Sequence, residues 1–189
     1  MNKLAVVFPG MGYGKDKPLL YYASKIAKEN GYEIMNIEYD EMPPVSGKVQ
    51  SEMKAAFDVA YASAKRQLDA VDWADKEVVF IAKSVGTIVA SKYAFDTRLK
   101  ALMIMFTPLD NTFDFMTPNK MYYFTGENDP WIDHEKASNR CADFDVQEVL
   151  MLECNHSLEV GRNEADLDTI CEVMRMVRCI FNGEDIVEE

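Results

Sequence analysis

Apolar residues fall along the chain in two alternating rhythms. Short runs rich in Val, Ile, Phe and Met at Leu4–Phe8, Glu33–Tyr39, Glu77–Ala82, Ala101–Phe106, Met121–Thr125 and Val146–Leu152 predict six β-strands. Between and after them, longer segments predict helices over Pro18–Asn30, Val49–Ala70, Gly86–Phe95, Asp133–Ala142 and Ala165–Phe181. In the last of these Leu167, Ile170, Val173, Met174, Val177 and Ile180 recur at spacings of three and four, which puts one apolar stripe against a sheet. Gly31 supplies a left-handed stop to the first helix, and Pro43-Pro44 separates the second strand from the helix that follows.

Strands that alternate with helices from end to end are the pattern of βαβ units feeding a mainly parallel sheet. The expectation is an α/β fold: a single three-layer domain over residues 1–189, about six mostly parallel strands with helices on both faces. The longest stretch without periodicity, Thr107–Lys120, reads as a loop; its Phe113–Met116 cluster makes it a candidate wall of a site.

Composition narrows the partners. A net charge of −12 disfavours a phosphate backbone, which is held by Lys and Arg displacing counterions, so no nucleic-acid partner is expected. Part of that charge, Glu184, Asp185, Glu188 and Glu189, predicts a solvated acidic tail over 182–189. Cys141, Cys154, Cys171 and Cys179 show no C-x-x-C spacing and no histidines at zinc-site intervals, so neither metal nor other cofactor is expected. The Leu4–Phe8 run is too short for a signal-peptide core and nothing approaches the length of a bilayer span. A soluble cytoplasmic protein with no membrane partner is the expectation.

In a parallel sheet the loops leaving the C-terminal strand ends gather on one edge, the natural home of a site. The sequence Val78-Val79-Phe80-Ile81-Ala82-Lys83-Ser84-Val85-Gly86-Thr87 sets a serine between an apolar strand and a helix, the form of a nucleophile elbow. Such a turn crowds the positions two before and two after the serine, and Ala82 and Gly86 are both small. It also aims the Val85 N–H at the reacting carbonyl, at the start of a helix whose dipole favours negative charge.

A serine hydroxyl needs a base, and the base needs a third group to hold its tautomer. Two histidines are available. His156 follows the last strand and leaves the sheet at the same edge as Ser84, whereas His134 sits within a predicted helix beside Glu135 and Lys136, where a solvated histidine is expected. Asp129, in the turn after the fifth strand, is the candidate acid, with Asp110 after the fourth strand as the fallback.

The order Ser84, Asp129, His156, each after a separate strand, resembles that of the α/β-hydrolase superfamily, and the likeness runs from the first strand to the closing helix. The chain is similar to small, capless members, with the outline of dienelactone hydrolases but serine where those carry cysteine. It departs from the family in lacking the first two strands of the full architecture, in Ala82 where glycine is common, and in Pro9 where histidine is usual. The resemblance implies a Ser-His-Asp triad, oxyanion donors at Val85 and at Met11 within Phe8-Pro9-Gly10-Met11-Gly12-Tyr13-Gly14, and cleavage of an ester-type bond in a small-molecule acyl substrate.

Two other readings stand beside it. The Gly10–Gly14 run suggests a phosphate loop, but a dinucleotide fingerprint needs a third glycine at Lys15 and a P-loop needs Ser or Thr at Asp16. A binding protein that keeps the fold without the reaction is the other. For substrate contacts the candidates are Tyr13, Lys83 and Trp131, joined by Phe113, Phe115 and Met116 if these are not simply core. Lys83, with Lys15 and Lys17, carries the hypothesis of an acidic substrate.

Overall fold

The computed structural model describes residues 2–47 and 49–186. Six strands, β1 (Asn2–Phe8), β2 (Glu33–Asn36), β3 (Lys76–Lys83), β4 (Leu102–Phe106), β5 (Met121–Gly126) and β6 (Val146–Met151), form one sheet in the order β2-β1-β3-β4-β5-β6. Every neighbouring pair is parallel. Five α-helices connect or follow them: α1 (Pro18–Glu29), α2 (Gln50–Leu68), α3 (Val85–Thr97), α4 (His134–Cys141) and α5 (Asn163–Asn182).

The pleat divides the strands between two cores. Leu4, Val6 and Phe8 of β1, Phe80 of β3 and Tyr123 of β5 face a cluster shared with α2, α3 and α4. Their sequence neighbours Ala5, Val7, Ile81 and Phe124 face the opposite cluster, shared with α1 and α5. This is the period-2 alternation of a strand buried on both faces, and it is why the central strands read as unbroken apolar runs. α2 approaches closely through small residues, Ala56, Ala60, Ser63 and Ala64, all buried.

The expected three-layer α/β architecture is therefore the one observed, with differences at element ends. β2 stops at Asn36 rather than Tyr39: the Ile37 N–H still donates to Val7 O at 2.9 Å, and the edge strand then leaves the sheet for the Pro43-Pro44 segment. The Thr107–Lys120 stretch holds a short 3-10 helix, Asp110–Phe115, whose Thr112 and Phe113 are buried. α5 runs to Asn182 and is closed by Gly183 at φ +70°. The acidic segment thus starts as helix; Glu184 and Asp185 are exposed beyond it, and Glu188 and Glu189 lie outside the described residues. Among the described residues no helix is long and apolar enough to cross a membrane.

Candidate active site

The turn between β3 and α3 is built around one residue. Ser84 adopts φ 54°, ψ −122°, a conformation that costs a non-glycine residue about 1–3 kcal/mol and persists only where its surroundings fix it. They do so from several sides. The Ser84 N–H donates to Phe106 O at 3.1 Å, and Ser84 O accepts from the Thr87 N–H at 2.9 Å and from Thr87 Oγ1 at 2.6 Å. Thr87 Oγ1 also pairs with Thr112 Oγ1, tying α3 to the 3-10 helix. Gly86 is required by close approach: a Cβ there would stand 2.4 Å from Phe8 O and 2.6 Å from Pro9 O.

Two further loops converge on this turn. His156 Nε2 lies 2.9 Å from Ser84 Oγ, and its Nδ1 lies 2.8 Å from Asp129 Oδ2. The other Asp129 oxygen accepts the Trp131 N–H at 2.9 Å, so the buried carboxylate is held at both ends. A carboxylate has no proton to give, so Nδ1–H donates to Asp129 and Nε2 is left as the acceptor facing Ser84. The loops are packed side by side because Gly126 closes β5: a Cβ at that position would stand 2.2 Å from Cys154 O. The Asn128 N–H donates to the same carbonyl at 2.8 Å, and Asn155 Oδ1 shapes the histidine loop by accepting the Ser157 and Glu159 N–H groups.

The fallback acid and the second histidine are engaged elsewhere. Asp110 Oδ1 accepts the Asp133 N–H at 2.8 Å, and His134 Nδ1 lies 3.2 Å from Glu148 Oε1.

The loop after β1 is a tight turn in which Gly10 and Tyr13 exchange backbone hydrogen bonds of 3.0 and 3.2 Å. Gly12 takes φ +70°, as the third residue of a type II turn must. Turn closure uses the Gly10 and Tyr13 N–H groups and leaves that of Met11 outside the ring. Val85 opens α3, where the first N–H groups have no intrahelical acceptor. Met11, Val85, Ser84 and His156 border one cavity of about 740 Å³. Its remaining walls are chiefly apolar and include Val45, Met53, Phe57, Ile88, Leu109, Phe115 and Trp131. Val45 and α2 were not legible as site residues; the signal they offered was two large apolar residues, Met53 and Phe57, beside a buried stripe of Ala56, Ala60, Ser63, Ala64 and Leu68.

Of the expected substrate contacts, Trp131 and Phe115 border the cavity, whereas Phe113 is core and Met116 packs against it. Tyr13 and Lys83 do not border the cavity. Lys83 is 1% exposed; its side chain turns away from the cavity, with Nζ donating to His156 O at 2.8 Å and lying 5.0 Å from the Tyr13 ring centroid. Tyr13 packs with the α1/α5 core, and its hydroxyl accepts the Leu19 N–H at 3.1 Å. Lys15 pairs with Glu38 at 3.8 Å on the surface, apart from the buried Lys83. Those contacts bear on the phosphate-loop reading too: the first free N–H of α1, after Pro18, is taken by Tyr13.

Burial shapes the charges here. It pushes the Lys83 ammonium down to about 7, against the opposing pull of Asp129 and Glu159. It also holds the His156 imidazole below the ordinary histidine value; the Lys83 charge acts in the same direction and the Asp129 carboxylate opposes both. The buried Cys154 thiol is raised, which makes it a packing residue rather than a thiolate. Among the described residues no cluster of His, Cys, Asp and Glu is arranged to hold a metal.

No family model matches the sequence, and no curated protein does. Solved structures match its fold. A putative α/β-hydrolase from Agrobacterium tumefaciens superposes with a TM-score of 0.65 at 15% identity, over 100% of this chain and 89% of that one. A lidless α/β serine hydrolase from Xanthomonas campestris gives 0.61 at 12%, over 93% and 79%. Est1E of Butyrivibrio proteoclasticus, solved with ferulic acid bound, gives 0.62 at 9%, over 92% and 88%. With an all-parallel six-stranded sheet and likeness at this level, the chain has the α/β-hydrolase fold.

Proposed function

We propose that the protein is a serine hydrolase that cleaves an ester-type bond, carboxylester or thioester, of a small molecule. The observation that carries this reading is the continuous chain of contacts from Asp129 through His156 to Ser84, at 2.8 and 2.9 Å. His156 Nε2 takes the Ser84 proton as the oxygen attacks the carbonyl carbon. The resulting oxyanion is met by the N–H groups of Val85 and Met11. Collapse of that intermediate breaks the bond to the leaving group, which receives the proton from His156. Water, deprotonated by the same ring, then releases the acid and restores Ser84. Asp129 keeps the proton on Nδ1 throughout and stabilises the imidazolium.

The cavity adds a size and polarity. A volume of about 740 Å³ with mainly apolar walls suits a bulky or extended apolar group on the substrate. The lidless serine hydrolase among the structural neighbours agrees with the reading at the level of fold.

The test is hydrolysis of a series of p-nitrophenyl and thioesters of rising acyl length and of aromatic acids, by wild type and Ser84→Ala. The proposal expects turnover that favours the larger apolar members and is lost in the variant. Turnover unchanged by Ser84→Ala would reject it, as would saturable nucleotide binding without any hydrolysis.

A further inference from the structure

The residue before the serine is a lysine that solvent hardly reaches. Placing an ammonium in a protein interior carries a desolvation cost that a methionine filling similar space would not. The charge is not spent on an ion pair: Nζ donates to the backbone carbonyl of His156 at 2.8 Å and lies 5.0 Å from the centroid of the Tyr13 ring. Tyr13 is itself fixed, its hydroxyl accepting the Leu19 N–H. A chain of contacts thus runs from the start of α1, through Tyr13 and Lys83, to the loop that carries the histidine.

We propose that Lys83 is a positioning residue for this site, its ammonium tying the His156 backbone to the end of β3 so that the imidazole stays seated between Asp129 and Ser84. The inference rests on the reading of His156 as the base. Charged groups reach Lys83 from two loops: Asp129 from the β5–α4 loop and Glu159 from the loop after β6, the loop that also brings His156, while Tyr13 faces it from the loop after β1. Besides Lys83, Asp129 and Trp131 face the His156 ring.

The arrangement has an electrical consequence as well as a mechanical one. A cation beside the imidazole opposes its protonation and keeps more of it as a free base. Lys83, although pushed down to about 7, is still largely charged over the lower range in which the ring titrates. Loss of the charge therefore raises the pH at which His156 protonates.

The experiment compares wild type, Lys83→Met and Lys83→Gln. Methionine removes both charge and donor, and glutamine removes the charge while keeping an N–H for the His156 carbonyl. The ring protons of the two histidines are followed by NMR against pH, with His134→Gln assigning the signals. The rate of inactivation by a fluorophosphonate is followed over the same range. Both variants are expected to raise the His156 midpoint. The pH-independent inactivation rate should fall at least about tenfold in Lys83→Met and less in Lys83→Gln, as expected when a reacting group loses its alignment. An unchanged midpoint in whichever variant folds overturns the proposal, and so does a plateau rate lowered equally in both. The NMR midpoint is read whether or not Ser84 reacts, so a failure of the hydrolase reading and a failure of the Lys83 proposal give different results.

Discussion

Replacing Gly86 by alanine tests how the elbow is held in place. The added methyl carbon would lie 2.4 Å from Phe8 O, 2.6 Å from Pro9 O and 2.8 Å from Phe8 C, where ordinary contact begins at 3.4 Å. Roughly 1 Å must be found between two backbone segments, neither of which can turn aside as a side chain would. One segment is the end of β1 leading to Met11, and the other is the first turn of α3, which holds Val85. Overpacking of this kind costs about 1–3 kcal/mol. The same displacement moves the Met11 and Val85 N–H groups apart, and under the proposed mechanism loss of one oxyanion donor lowers turnover by about 10²–10³. The internal control is Gly14→Ala in the loop after β1, where a Cβ meets nothing within 4 Å and the backbone is not left-handed. Urea denaturation and ester hydrolysis on the two variants should show Gly86→Ala impaired in both respects and Gly14→Ala close to wild type. A Gly86→Ala protein with native stability and turnover would refute the reasoning.

Three other outcomes follow from the same geometry. Ser84→Gly should be more stable than Ser84→Ala by about 1 kcal/mol or more in urea, because only glycine relieves the strained backbone at φ 54°; equal midpoints would contradict this. Asp129→Asn should lower turnover by on the order of 10⁴ with the fold intact by circular dichroism, since an amide no longer fixes the Nδ1–H tautomer; near-wild-type activity would contradict it. Lys83 should also leave a mark on stability. Its folded value, about 7, lies below the unfolded 10.5, so its cost to folding is fully present below about pH 7 and fades as pH rises towards 10.5. Lys83→Met should therefore melt higher than wild type at about pH 6, with the gap narrowing by about pH 9; a gap independent of pH would contradict the assignment.

The strands and helices were legible because the sheet is buried on both faces, so its strands appear as unbroken apolar runs such as Val78–Ala82. The meeting of Ser84, Asp129 and His156 could be read too, since parallel topology sends all three loops to one edge. The direction of side chains was not legible. Lys83 and Tyr13 sit beside the serine in sequence or loop, and proximity suggested substrate contact, yet the pleat turns Lys83 away from the cavity toward the His156 loop. The cavity walls from Val45 and α2 were hidden for a related reason: they belong to a segment distant in sequence, and only the docking of α2 through its buried small residues brings Met53 and Phe57 to the cavity. Gly126 was legible only in part, a glycine at the end of a strand whose necessity appears only when the Cys154 carbonyl is found against it.

Treatment of the intact protein with a fluorophosphonate, followed by peptide mass mapping, probes the relation of Ser84 to His156 most directly. One adduct on the peptide holding Ser84, slowed strongly by His156→Ala and hardly by His134→Ala, is the expected result. An adduct elsewhere, or labelling of Ser84 that is indifferent to His156, would contradict the account.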